Sequence, residues 1–268
     1  MLKELTKADW LSFLSIVEDR IPPVLVLRGT RNLRANYDKY AARFEDVLEI
    51  GSPNGLFEDV FIGRHRGTDV GYASVYGAPM ASEIVHVFGV LGTRLVVQTG
   101  VCGALGDGIN AGDLVVATEA RCAEGAATCY LPGVQTVAAS PELVEEAMRD
   151  SKVAVARHAG PVWTTAALLA EGKAEIEQWH AEGYLAADME TASAFAVADY
   201  FGMRRVSLLY AFDNPRQGAH LGLTEADKDA ARAEGERAMV GLLFDLIEAH
   251  AGERAAVPPA TPDVPGHA

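Results

Sequence analysis

The stretch that decides the fold is RLVVQTG, residues 94–100, which runs directly into the small-residue loop VCGALGDG, residues 101–108. A continuous apolar run of this kind is typical of a strand covered on both faces. Glycines at its end let backbone N–H groups face a ligand at the carboxyl edge of a sheet, although a tight turn explains them equally well. The stretch therefore predicts a buried central strand and a candidate binding loop.

Further strands and helices alternate on either side of this strand. Strands are predicted at 24–27, 60–65, 70–77, 113–117 and 205–212, and helices at 1–22, 82–90, 171–183, 191–201, 224–250 and from Pro141 onward. Alternation of this kind predicts a single α/β domain around a mixed central sheet. We expect that domain to span residues 24–250, after an N-terminal helix in residues 1–23 and before a proline-rich, disordered tail in residues 251–268.

Composition limits the functional class. The 268 residues include 37 acidic and 23 basic ones, a net charge of −14. Such a charge repels phosphate backbones, so we expect a small-molecule substrate and no nucleic-acid partner. No run of 18 apolar residues is present, and residues 1–10 do not have the apolar pattern of a secretory leader, so we expect a cytoplasmic protein without a membrane partner. The three cysteines have no metal-ligand spacing, and we expect no metal site.

An acidic segment, ADME, covers residues 187–190 ahead of an alanine-rich helix. Asp188 fits the usual preference for an acid near a helix N-terminus. Glu190 is followed by apolar residues, which predicts partial burial. A buried carboxylate needs hydrogen-bond donors, and a ligand diol supplies two of them.

A second acid, Asp213, stands at the end of the apolar strand RVSLLYAF, residues 205–212. Polar residues at such a strand end face the ligand crevice of open α/β sheets. An Asx turn leading into Pro215 is an equally good explanation of this acid. The segment by itself leaves both interpretations open.

Taken together and in this order, these segments resemble the nucleoside phosphorylase superfamily, which includes uridine phosphorylase, hexameric purine nucleoside phosphorylase and the methylthioadenosine nucleosidases. The likeness covers about residues 24–245 and is carried by QTGVCGAL (98–105), WTTAALLAEG (163–172), LAADMETASAFAVADYFGMRR (185–205) and SLLYAFDN (207–214). It implies an α/β/α sandwich around a distorted mixed barrel. It also implies cleavage of the N-glycosidic bond of a nucleoside by a homo-oligomer, either a dimer or a trimer of dimers.

The resemblance assigns roles to individual residues. Met189 is expected to pack under the sugar and Glu190 to accept both ribose hydroxyls, a role that suits a carboxylate. Asp213 is expected to protonate the leaving base, and its position favours purine-like bases. The remaining substrate-binding residues implied by the likeness are Gly100, Val101, Trp163, Thr164, Leu168 and Phe212.

The phosphate half of the site departs from the family pattern. Gly29 is kept, but Arg34 stands one residue away from the family's arginine, and Gln98 and Val101 replace an arginine and a Ser or Thr. A phosphate dianion needs charge-assisted donors, which an amide and a valine do not supply. Three functions therefore remain open: a nucleoside phosphorylase with phosphate as co-substrate, a phosphate-independent nucleoside hydrolase, and a non-catalytic nucleoside-binding protein. No other cofactor is expected.

Overall fold

The computed structural model describes residues 2–50, 57–149, 154–218 and 226–252. The strands in these ranges are β1 (Val24–Gly29), β2 (Glu45–Glu49), β3 (Val60–His65), β4 (Thr68–Val75), β5 (Leu95–Ala104), β6 (Leu114–Ala123), β7 (Thr136–Ala138), β8 (Arg157–Thr165), β9 (Ala186–Asp188) and β10 (Arg204–Asp213). The α-helices are α1 (Lys7–Leu14), α2 (Leu33–Ala41), α3 (Gly77–Leu91), α4 (Ala126–Tyr130), α5 (Pro141–Met148), α6 (Lys173–Ala181), α7 (Thr191–Tyr200) and α8 (Ala226–Ala249). Short 3₁₀ helices cover Leu2–Glu4, Glu18–Arg20, Leu168–Ala170 and Pro215–Gln217.

At one end of the sheet the strands form a closed ring, and at the other end the sheet continues as an open row of strands, called the extension below. Strands β5, β10, β6, β8 and β9 are hydrogen-bonded in a ring, because β5 pairs with both β10 and β9. Strands β1, β4, β3 and β2 continue outward from β5, and β7 pairs with β6. Parallel and antiparallel pairs are mixed in both parts. This confirms the predicted α/β fold with a distorted mixed barrel.

Helices cover both faces of the extension. Along β1, Val24 and Val26 pack with residues of α2 and α8, whereas Leu25 and Leu27 pack with residues of α3 and α7. Successive side chains of a strand point to opposite faces, so a fully apolar strand needs such a layer on each side. The arrangement confirms the predicted helix–sheet–helix layering.

Several predicted boundaries differ in the structure. The helix predicted over residues 1–22 is shorter in the structure, where α1 ends at Leu14 and is followed by Ser15 in a left-handed conformation. Phe13 and Val17 within the predicted range are 63% and 60% exposed. Helix α3 begins at Gly77 rather than at residue 82. Helix α5 begins at Pro141 as predicted, and the hydroxyl of Ser140 ahead of it accepts the Arg205 amide at 3.0 Å instead of capping the helix. The predicted disordered tail lies, from residue 253 onward, outside the described residues.

Three parallel strands bring the candidate segments to one edge. Strand β5 lies between β1 and β10 and is parallel to both, with Thr99 opposite Arg28 and Gly103 opposite Asp213. Their carboxyl ends therefore meet, at the edge where ligands bind in α/β sheets. None of the described helices combines the length and apolarity needed to cross a bilayer.

Candidate active site

Glu190 is a buried side chain that is held in place at this edge. It lies between β9 and α7, is 5% exposed, and accepts a hydrogen bond from the Gly77 amide to Oε1 at 2.7 Å. Gly77 has a φ of +81°, a left-handed conformation that favours glycine and turns its N–H toward the carboxylate. On the other side, a Cβ on Gly29 would lie 2.6 Å from Glu190 Oε2, so only glycine fits there.

The charge state of Glu190 follows from this burial. Loss of solvation and the neighbouring Asp188 carboxylate raise the pKa of Glu190 to about 8, against the smaller opposing effects of the Gly77 amide and Arg28. A ligand that donates two hydroxyl hydrogens stabilises the ionised form and lowers that pKa again. The site is thus suited to binding a vicinal diol.

Asp188, in contrast, holds the backbone of the site together. Its Oδ1 accepts the Thr164 hydroxyl at 2.7 Å, and its Oδ2 accepts the Thr191 amide at 2.8 Å and the Thr191 hydroxyl at 2.5 Å. It is therefore a buried acid at the end of β9 that binds the first amide of α7, in keeping with the preference for an acid near a helix N-terminus. Because its oxygens are used in this way, Asp188 fixes the turn that presents Glu190.

Gln98 occupies the buried space beside Gly29. Its Nε2 donates to the Thr99 carbonyl at 3.2 Å, while its buried Oε1 has no hydrogen-bond partner among the described residues. A Cβ on Gly29 would lie 3.0 Å from Gln98 Nε2, which places this amide next to Glu190. The phosphate half of the site, called the anion half below, thus contains a neutral amide beside Gly29.

Asp213 stands at the other end of the same edge. It is 7% exposed, and a Cβ on Gly103 would lie 3.6 Å from its Oδ1. The turn that follows is made by Asn214, whose side chain accepts the Arg216 amide and donates to the Gly106 and Ile109 carbonyls. Asn214, rather than Asp213, therefore makes the Asx turn.

Strand β5 sets the separation of the two acids. A Cβ on Gly100 would lie 3.4 Å from the Gly29 carbonyl, close to Glu190, and Gly103 lies against Asp213. These two glycines are three residues apart, a rise of about 10 Å along a strand. The edge therefore carries two buried carboxylates, Glu190 near Gly100 and Asp213 beside Gly103.

The other predicted substrate-binding residues do not all lie together at this edge. The Trp163 ring stacks on Trp179 with centroids 4.8 Å apart, in a cluster at α6. Thr164 is fully buried, with its hydroxyl bound to Asp188, and Phe212 lies under the Arg232 guanidinium at 3.9 Å. Leu168 and Met189 are half-buried, and Val101 is 36% exposed.

Arg34, the predicted phosphate ligand, lies on α2 among carboxylates. Its guanidinium is 60% exposed and makes ion pairs with Asp38 at 3.1 Å, Asp59 at 3.4 Å and Glu49 at 3.6 Å. A second cation, Arg31, lies over the Tyr76 ring at 4.8 Å, one residue from Gly77 along the chain. Within the described ranges, Arg31 makes no ion pair.

Sequence reasoning missed two groups at this edge. The Gly77 amide is one, and Pro79 was its available signal, because proline is tolerated in the first turn of a helix. The other is Glu171, which lies after the 3₁₀ helix Leu168–Ala170 with a buried carboxylate oxygen. Over the residues that the structure describes, no cluster of three or more His, Cys, Asp or Glu side chains is arranged to hold a metal ion.

Known proteins share both this sequence pattern and this fold. The chain is 31% identical over 183 residues to a guanosine phosphorylase from Halorubrum lacusprofundi, covering 65% of this chain and 74% of that protein. It is 29% identical over 238 residues to a DeoD-type purine nucleoside phosphorylase from Myxococcus xanthus, covering 84% and 92%. The crystal structure of a uridine phosphorylase from Vibrio fischeri superposes with a TM-score of 0.73 at 24% identity, covering 88% of this chain and 95% of that one.

The family itself is shown by a match over most of the domain. The sequence model of the phosphorylase superfamily matches residues 30–248. This range contains Glu190 and Asp213. It also contains strands β5 and β10, whose carboxyl ends contribute to the edge described above. The chain therefore belongs to the phosphorylase superfamily and is a nucleoside phosphorylase-like enzyme.

Proposed function

We propose that this chain cleaves the N-glycosidic bond of a purine-type nucleoside with inorganic phosphate, releasing the free base and a pentose 1-phosphate. The observation that carries the proposal is the pair of buried carboxyls, Glu190 at 5% and Asp213 at 7% exposure, at one sheet edge. Burying a carboxyl is costly unless hydrogen bonds compensate it. The two ribose hydroxyls and the nitrogen of a leaving base supply such bonds.

In the proposed reaction, Glu190 anchors the sugar while Asp213 acts on the base. The bond between C1′ and the base nitrogen breaks as the sugar becomes oxocarbenium-like, and its electron pair passes to the base. Asp213 delivers a proton to the base and so neutralises that charge. A phosphate oxygen forms the new bond to C1′, which completes the transfer.

Two features support phosphate and a purine as the reactants. Two relatives, at 31% and 29% identity, are named as a guanosine phosphorylase and a purine nucleoside phosphorylase. On the anion side, the Arg31 guanidinium lies over Tyr76 beside the start of α3, where it is available to an anion. Arginine is well suited to phosphate because of its fixed charge and planar donor set.

The test is base release from a panel of purine and pyrimidine nucleosides, followed by absorbance, with and without phosphate. We expect release that requires phosphate and yields one pentose 1-phosphate per base. Release at the same rate without phosphate would instead establish a hydrolase. Nucleoside binding with no release in either buffer would establish a binding protein.

We further propose that the chain acts as a homo-oligomer in the cytoplasm. In support, Leu169 is 96% exposed beside Leu168, and a second subunit that covers it would remove this apolar surface from water. Cys102, Cys122 and Cys129 are all unpaired, as is usual in a reducing compartment. Light scattering on the purified chain and on the variant Leu169→Glu tests the assembly, and we expect a smaller species for the variant.

A further inference from the structure

A cavity of about 330 Å³ is lined by residues of helices α1, α3, α4 and α7. Each of these helices contributes one aromatic ring: Trp10, His86, Tyr130 and Tyr200. His86 stands nine residues after Gly77 on α3, and Tyr200 is the last residue of α7, the helix that follows Glu190. At a rise of about 1.5 Å per residue, the cavity therefore lies about 13–15 Å along these helices from the contact between Gly77 and Glu190. It is a space that the proposed reaction does not use.

Two polar groups on the aromatic rings of this cavity have no partner. Trp10 is 3% exposed, and its Nε1 is buried without a hydrogen bond in the part of the chain that the structure describes. The Tyr200 hydroxyl is likewise buried and unpartnered over those residues. The other two rings bind each other, since the Tyr130 hydroxyl lies 3.1 Å from His86 Nδ1. A buried donor without an acceptor is costly, so a bound molecule that brings acceptors to Trp10 and Tyr200 would stabilise both.

The walls of the cavity suit a flat, uncharged ligand. The Tyr130 ring lies 5.8 Å from His86 and 5.6 Å from Tyr200 between centroids, the latter pair edge to face. Aromatic walls of this kind stabilise another aromatic ring through stacked and edge contacts. Lys3 and Glu83 also line the cavity, so one positive and one negative side chain offset each other there. Ligand cavities are typically about 300–1,000 Å³, and a volume at the lower end fits a molecule of two fused rings.

We propose that this cavity binds a small, uncharged heteroaromatic molecule of two fused rings, whose ring nitrogens or carbonyl oxygens accept hydrogen bonds from Trp10 and Tyr200. An indole N–H only donates, and a phenol O–H donates as well as accepts, so acceptor atoms on the ligand satisfy both groups. A ring system of the same shape without acceptors fills the space but leaves both donors unpaired. The binding is independent of the reaction at the sheet edge.

The experiment measures the dissociation constants of quinoxaline and naphthalene for the full chain by equilibrium dialysis. The two probes have the same shape, but only quinoxaline carries ring nitrogens. We expect quinoxaline to bind the wild type with a dissociation constant of about 1 mM or lower. Tyr200→Phe should weaken quinoxaline by about 3- to 10-fold and leave naphthalene unchanged, because only the hydroxyl is lost. Trp10→Phe should weaken quinoxaline more than naphthalene.

The matched control is Tyr184→Phe, which removes a hydroxyl from a tyrosine packed on Trp163 and should bind both probes as the wild type does. An equal change for both probes in Tyr200→Phe and in Trp10→Phe, at unchanged melting temperatures, would overturn the inference. So would the absence of quinoxaline binding to the wild type at about 1 mM.

Cysteine alkylation locates the bound probe without any substitution. Cys129 is exposed and lines the cavity, whereas Cys122 on β6 lies outside its lining. Quinoxaline should slow the reaction of Cys129 with N-ethylmaleimide several-fold and leave that of Cys122 unchanged, as measured by mass spectrometry of the two peptides. An unchanged rate at Cys129, or equal slowing at both thiols, would place the probe elsewhere and overturn the inference.

Discussion

The sugar half and the anion half of the site hold their polar groups in different ways. Glu190 is buried, receives the Gly77 amide at 2.7 Å, and lies against a glycine that admits no side chain. In the anion half, Gln98 is neutral and its Oε1 has no hydrogen-bond partner in the part of the chain that the structure describes, and Arg34 is 60% exposed among three carboxylates. The contrast teaches that fixed geometry is concentrated around the two buried carboxylates, where we propose that the sugar and base bind. Variants should therefore separate chemistry and sugar binding from phosphate binding.

The largest effect is expected from Asp213→Asn, because a carboxamide donates hydrogen bonds but cannot transfer a proton to the leaving base as a carboxylic acid does. We expect kcat to fall by about 10²- to 10⁴-fold, with nucleoside binding retained. Steady-state kinetics and calorimetric binding measure the two quantities. Asp245→Asn, an exposed position on α8, serves as the control. Unchanged turnover in Asp213→Asn would remove this residue from the acid role.

Gly29→Ala attacks the sugar half directly. The new methyl group would lie 2.6 Å from Glu190 Oε2 and 3.0 Å from Gln98 Nε2, so the carboxylate has to move. Since hydrogen bonds to charged groups contribute about 1.5–3 kcal/mol each, KM for nucleosides should rise by about 10- to 100-fold. Gly241→Ala, a helical glycine with open space around it, is the control and should leave KM unchanged.

The pH dependence of sugar binding should follow Glu190. Burial and Asp188 raise its pKa to about 8, and only the ionised form accepts both hydroxyls. KM for nucleosides should therefore fall as the pH rises from 6 to 8, by about tenfold per unit at first, and then level off. Glu190→Gln should bind weakly at every pH and lose this slope. A wild-type KM that is flat across this range would contradict the assignment.

The same shift predicts the pH dependence of stability. A carboxyl whose pKa is raised in the folded state, here from 4.5 to about 8, destabilises the fold progressively as the pH rises between those values. Glu190→Gln should therefore melt at a higher temperature than the wild type at pH 8.5 and lose that advantage at pH 4. Calorimetric melting at the two pH values measures this difference.

A smaller effect on kinetics separates the two arginines of the anion half. Arg31 lies over Tyr76 without an ion pair in the described structure, whereas Arg34 is held by carboxylates. We expect Arg31→Gln to raise KM for phosphate by about 5- to 10-fold, as the loss of one partly exposed charged contact would. Arg34→Gln should change it less than twofold. The reverse order would return Arg34 to the phosphate site predicted from the sequence.

The smallest kinetic effect is expected from Thr164→Val. The Thr164 hydroxyl donates to Asp188 at 2.7 Å and accepts the Ala192 amide at 3.0 Å, so its loss should cost about 1–3 kcal/mol of unfolding free energy. Nucleoside KM should stay unchanged. Urea unfolding measures the stability and steady-state kinetics measure KM, with Thr128→Val at an exposed position as the control. A raised KM at wild-type stability would instead place Thr164 against the base.

Prediction from sequence succeeded where a single segment contains its own signal. The apolar runs that form β5 and β10 are buried along most of their length, and their carboxyl ends meet as expected. Contacts between distant segments were not predictable in this way. The Gly77 amide and Glu190 are 113 residues apart, and the sequence around either position does not predict their contact. Two of the three carboxylates around Arg34 come from other segments, Glu49 on β2 and Asp59 just ahead of β3, which its helical position does not reveal.

Burial along β5 also sets the thiol chemistry of the protein. Cys102 is 2% exposed, and burial together with Asp188 and Asp213 raises the pKa of its thiol well above the usual range. Alkylating reagents react with the thiolate, so they should reach the exposed Cys129 first. Cys129 is therefore a suitable attachment point for a dye. Cys102, buried near Asp188 and Asp213, should remain unlabelled.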